Sequence, residues 1–218
     1  IRRPPRSTLF PYTRSSDLSG KRLIVRIKKE GYSVYNDNRS SFEYAAYFEP
    51  EWHVPDPSSP VIFRLRKNRE AETLVKRDVR LPLALGSAVT FSLNPNEQDA
   101  ARVVIELLSN APLREKQWSA RISAPDGGLQ STLEEFPYEA PVSGYQSTLV
   151  TDYASPKPIG VDGGYQGGVF FLQTPKGYGR IQIKMMPGNN YARISSFWNP
   201  AGSRNLEFDP AKVIKPQP

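Results

Sequence analysis

The chain has 218 residues, 29 Lys and Arg against 22 Asp and Glu, a formal net charge of +7, one histidine and no cysteine. Disulfides and thiolate chemistry are excluded, and neither a cysteine-based nor a histidine-rich zinc site can be assembled. Hydrophobic residues (38%) and aromatics (11%) suffice for a packed core, while no apolar run approaches the roughly 20 residues of a membrane-spanning helix.

Residues 1–18 contain Arg2, Arg3, Arg6 and Arg14 with Pro4, Pro5 and Pro11, and follow neither a period of 2 nor one of 3.6. As protein this is a basic arm, and it is not a signal peptide because no apolar stretch follows the arginines. The run from Ile1 through Phe10, Pro11 and Tyr12 to Thr13, with Ser15, Ser16, Asp17 and Leu18 behind it, resembles the translation of a common short-read sequencing adapter. That resemblance implies that 1–18 is a non-native, adapter-derived segment. The native chain is then expected to continue upstream of Ser19, where any signal peptide would lie. Four arginines against Asp17 give this segment +3, which leaves +4 over the remaining 200 residues.

Leu23, Val25 and Ile27 alternate with Arg22, Arg26 and Lys28, which predicts a strand that Gly31 ends in a turn. The pattern Gly20, Lys21, Leu23, Val25, Lys29, Gly31, Tyr32 resembles a late strand of a carboxypeptidase regulatory-like domain, a small transthyretin-like β-sandwich. The resemblance implies that 19–67 is a truncated sandwich remnant whose earlier strands precede Ser19. Residues 40–60 are rich in aromatics and proline and read as an extended excursion, and Val61, Phe63 and Leu65 predict a closing strand. The polar stretch 68–77 reads as a linker.

From Asp78 onward the pattern predicts β-structure throughout. Val79, Leu81 and Leu83 alternate, and 87–93 is a strand that stops at Asn94, Pro95 and Asn96. Segment 97–108 fits either an amphipathic helix (Ala101, Val104, Ile105, Leu108) or a strand over 102–108. The strand is favoured because its neighbours need partners. Trp118, Ala120, Ile122 and Ala124 face a core and run into the turn at Asp126, Gly127 and Gly128. Residues 146–151 predict another strand, and 169–174 with 178–185 a hairpin whose second arm points Ile181, Ile183 and Met185 inward. A last long strand covers 191–198, and 210–218 reads as a tail. The expected fold is all-β, with β-sandwich-like antiparallel sheets in a domain over 78–209. Region 78–215 resembles an uncharacterised region that follows carboxypeptidase regulatory-like domains in large bacterial extracytoplasmic proteins. This implies an extracytoplasmic location (periplasmic, cell-surface or secreted).

No catalytic constellation emerges. A serine triad would depend on His53, and there is no nucleophile elbow. Asp126 and Asp162 precede Gly-Gly pairs but lack the further carboxylates of a calcium loop. Residues 160–168 are glycine-rich without a phosphate-binding lysine. Glu134, Glu135, Glu139, Asp152 and Asp162 are candidates for an acid-pair glycoside hydrolase, although adjacent Glu134 and Glu135 would face opposite sides of a strand. Trp52, Tyr165, Tyr178, Tyr191 and Trp198 lie near strand ends or loops and are candidate rings for stacking on sugars, against the alternative that they pack as core and edge residues. The basic run between Arg64 and Arg80 is interspersed with Glu70, Glu72 and Asp78, which reads as a solvated face rather than a nucleic-acid site. The expectation is a non-enzymatic structural or interaction module of a larger exported protein with a protein or glycan partner. It needs no cofactor, metal, nucleic acid or membrane segment. Carbohydrate binding through exposed aromatics is the alternative, and the acid-pair hydrolase a second one.

Overall fold

The computed structural model describes residues 22–24, 29–34, 41–43, 58, 64–96, 101–110, 118–134, 136–156, 166–186 and 190–215. The chain divides into two compact units, 1–66 and 67–218. In the first, β1 (Arg22–Ile24) pairs antiparallel with β3 (Ser41–Glu43), and β2 (Tyr32–Val34) pairs with β4 (Leu65–Lys67), which runs into the unit boundary. Gly31 holds a positive φ of 72° in the turn before β2, as its place after the alternating stretch predicts. Val25, Ile27, Val61 and Phe63 lie outside the described residues.

The second unit is an all-β sandwich. Its six-stranded sheet has the order β14 (Val213–Ile214), β5 (Leu74–Pro82), β13 (Tyr191–Asn199), β12 (Gly177–Met186), β11 (Gln166–Thr174), β9 (Gly128–Thr132). The four-stranded sheet has the order β10 (Thr148–Asp152), β8 (Trp118–Ser123), β7 (Arg102–Asn110), β6 (Ala88–Ser92). All pairings in both sheets are antiparallel except that of β14 with β5. Segment 102–108 is strand, since Val103, Ile105 and Leu107 are buried at period 2.

One hydrophobic layer joins the sheets. Phe91, Ile105, Trp118 and Ile122 from one side meet Phe170, Ile181, Ile183, Ile194 and Trp198 from the other. Two boundaries differ from the sequence reading. The stretch read as a linker enters the sheet at Leu74, and Leu74 and Val75 are buried on its two faces. Its charges, Lys76 and Arg77, do not make it a linker. Arg77 shares the inner side of β5 with Val75 and Val79, places its guanidinium 4.9 Å from the Phe91 ring centre and donates to the Ser92 carbonyl. The end read as a tail includes a 3-10 turn over Pro210–Lys212 and the short strand β14.

Among the described residues of this unit, the outer face of the six-stranded sheet is covered at one end only. There Leu74, Phe171, Ala140 and Leu206 form a second small core flanked by Tyr145, Tyr178 and Phe197. The covering segments bond to each other, Ala140 N–H to Arg204 O at 2.9 Å and Leu206 N–H to Tyr138 O at 2.9 Å. Asn199, fully buried, anchors them. Its Nδ2 donates to Glu72 Oε2 (2.8 Å) and Asn205 O (2.7 Å), and its Oδ1 accepts from Ala201 N–H (2.9 Å). Ser203 Oγ also donates to the Glu72 carboxylate (2.7 Å). These bonds, led by that from Asn199, hold the Glu72 carboxyl below its ordinary range.

Asn199→Ala strands several of these partners and should lower unfolding free energy by about 2–4 kcal/mol in urea titrations at pH 7. A folded pKa below the unfolded one means that the Glu72 contribution is complete above the ordinary glutamate pKa of 4.5 and fades as pH falls through the folded value. The penalty of the substitution should therefore shrink at acid pH, and a penalty independent of pH would show that Glu72 is not the group it supports.

Candidate functional site

Successive outward rows of side chains run across β5, β13 and β12, because antiparallel register sets residues directly opposite one another. The row Lys76, Phe197, Arg180 is at the covered end. Arg180 donates to Pro137 O (3.2 Å), and its guanidinium lies 4.6 Å from the Phe197 ring centre and 5.0 Å from that of Tyr138. Burial lowers its pKa, while the Tyr138 side chain and the Glu207 carboxylate act in the opposite direction. This cation is matched by its surroundings.

The next row is Asp78, Ser195, Gln182, and the one after it is Arg80, Arg193, Lys184. These six residues line an open depression of about 480 Å³ on the bare half of the sheet. Three cations thus stand directly opposite one another on three neighbouring strands. Strand spacing is about 4.8 Å, so their backbone positions span roughly 10 Å. Like charges placed so are mutually repulsive. Among the described residues no carboxylate pairs with Arg80, Arg193 or Lys184, and Asp78 forms its ion pair with Lys76 (3.1 Å). Tyr191, in the row beyond, supplies the described relief. Its ring centre lies 3.7 Å from the Arg80 guanidinium and 5.8 Å from that of Arg193. A ring occupies only the flat face of a guanidinium, so the in-plane N–H donors of Arg80 stay available.

The other ion pairs among the described residues are closed. Arg102 grips Asp126 through two bonds (2.8 and 2.9 Å) and holds its pKa down, so the Asp126-Gly-Gly segment is a pinned turn. Arg121 pairs with Glu106 (2.6 Å), and Arg69 and Arg204 both reach Glu139. A second cavity, about 250 Å³, opens between the sheets near Thr132, Leu149, Thr151 and Phe170 and is lined by uncharged residues. Among the described residues no group of three or more His, Cys, Asp or Glu is placed to hold a metal, and no helix is long and apolar enough to cross a membrane.

The aromatics proposed as stacking platforms fare differently. Trp198 is 2% exposed and belongs to the central core, so it offers no open ring. Tyr191 is 7% exposed, with Arg80 against it. Their strand-end positions suggested exposure, but both ends are packed. Tyr178 is half-buried beside Tyr145, with ring centres 6.3 Å apart. Trp52 and Tyr165 lie outside the described residues, as do His53, Glu135 and Asp162. Of the acid-pair candidates that are described, Glu139 is held by two arginines, and Asp152 Oδ1 accepts from the Ser155 N–H (2.6 Å) and hydroxyl (2.8 Å). Glu134 is exposed.

The cation row was not found from sequence. Arg80 is separated by more than a hundred residues from the other two, and period-2 reading marks each merely as solvent-facing. Arg193→Gln should raise unfolding free energy at low salt by about 0.2–1 kcal/mol, with the gain shrinking as salt rises. A loss of stability in the same urea titration would reveal a compensating partner for Arg193. No protein-family model, curated protein or solved structure matches this chain.

Proposed function

We propose that the chain is a non-enzymatic interaction module of a larger exported bacterial protein, and that 67–218 holds an anionic partner on the bare half of its six-stranded sheet. The observation that carries this reading is the row Arg80, Arg193, Lys184, three opposed cations without a carboxylate partner among the described residues. An anion laid across the row relieves their repulsion, so part of the binding energy is already present as strain in the free protein. The exported, bacterial setting is the expectation drawn from sequence alone, in which 19–67 resembles a carboxypeptidase regulatory-like domain and 78–215 a region that follows such domains in bacterial extracytoplasmic proteins. The flat, strand-built surface fits recognition better than turnover, because catalysis requires groups converging on a reacting atom.

A basic chain adheres to any polyanion, so the test compares equal charge changes at two places. The full chain is applied to an anionic matrix, with Arg80→Gln/Arg193→Gln/Lys184→Gln set against Lys67→Gln/Lys176→Gln/Lys215→Gln, three exposed lysines elsewhere. With both variants folded by thermal melt, the first should elute at clearly lower salt than the second. Equal elution would remove the row from any role in binding.

A further inference from the structure

The proposed anionic partner can be narrowed by what lies beside the cations. One row away, two residues along each strand and about 6.6 Å distant, stand Asp78, Ser195 and Gln182. Asp78 is an exposed acid, with 61% of its side chain accessible, and Lys76 pairs with it from the covered end. A ligand charged along its whole width, such as a nucleic acid or polyphosphate, would meet this carboxylate at a cost. Ser195 and Gln182 both donate and accept, and Asp78 accepts. The surface therefore presents a cationic lane beside a lane suited to hydroxyl groups.

The geometry points to an acidic polysaccharide, one whose sugars carry carboxylates along one edge and hydroxyls along the other, lying across β5, β13 and β12. Guanidinium groups bind carboxylates through paired N–H donors, and two of the three cations are arginines. An acidic peptide carries methylenes and backbone amides beside its carboxylates, whereas a sugar acid carries hydroxyls, the groups that Ser195 and Gln182 match. Single-stranded nucleic acid draws on exposed rings for base stacking, and the ring at this site, Tyr191, is buried against Arg80.

The inference rests on the anionic-partner reading, and the two can fail separately. Titration calorimetry on the full chain in about 0.15 M salt, where charges interact over roughly 8 Å, uses four probes: polygalacturonate, neutral dextran, poly-L-glutamate and an oligothymidylate. Polygalacturonate should bind, at least about tenfold more tightly than poly-L-glutamate or the oligothymidylate, and the Arg80→Gln/Arg193→Gln/Lys184→Gln variant should lose about tenfold or more in affinity. Dextran should not bind. Asp78→Asn adds a sharper readout: it should strengthen oligothymidylate binding while leaving polygalacturonate binding equal or weaker. If poly-L-glutamate or the oligothymidylate binds as well as polygalacturonate, the sugar-acid assignment is overturned and the anionic-partner reading survives. If no anion binds, or if the distant triple-lysine variant loses as much affinity, both are overturned.

Discussion

The register of β12, β13 and β5 is the constraint on which the sandwich and its candidate site both depend. Ile183 stands opposite Ile194, and Ile194 opposite Val79, on the inner face. One residue along, the same register sets Lys184 opposite Arg193 and Arg193 opposite Arg80 on the outer face. A slip of one residue between neighbouring strands would carry isoleucines to solvent and cations into the core. Burial of the apolar row, at roughly 25 cal/mol per Å² of surface removed from water, outweighs the screened repulsion of the cationic one. The core therefore fixes the cation row in place, and the cations cannot drift to new partners without breaking the core.

The outer face also shows two ways of treating arginine. At one end Arg180 is enclosed by Tyr138, Phe197 and the Pro137 carbonyl, under segments that bond to each other. Those segments depend on Asn199, whose amide ties Glu72 to the closing loop. At the other end no described residue of this unit covers the sheet, and Arg193 is exposed at an open depression. The contrast separates a cation used to close the fold from cations the fold leaves available. It also explains why net charge is a poor guide here. The +7 of the whole chain includes the arginines of 1–18, and closed ion pairs such as Arg102–Asp126 and Arg121–Glu106 cancel out of it, whereas the feature of interest is a local arrangement of three residues.

The all-β class was legible because period-2 alternation survives in β7, β8, β12 and β13, where the inward residues, Ser196 of β13 excepted, are apolar and buried. Strand β5 was partly hidden because its first half carries Lys76 and Arg77, and an inward arginine that caps Phe91 breaks the expected alternation. Strand β9 was missed because Gly128, Leu129, Gln130, Ser131 and Thr132 carry one large apolar residue, and pairing with β11 rather than hydrophobicity makes the strand. Trp198 and Tyr191 looked available because sequence position says nothing of what packs over a strand end. The cation row is a property of register between distant strands, which no local pattern contains.

The central claim is that three cations brought together by strand register form the contact surface for a sugar acid. Its most direct test is a ¹⁵N NMR titration of the full chain with trigalacturonate, following backbone amides and arginine Nε resonances. The account predicts shifts confined to the Arg80 and Arg193 side chains and to the amides around Arg80, Gln182, Lys184, Arg193 and Ser195. Shifts centred on the four-stranded sheet or on residues 1–66, or no shifts at all, would contradict it.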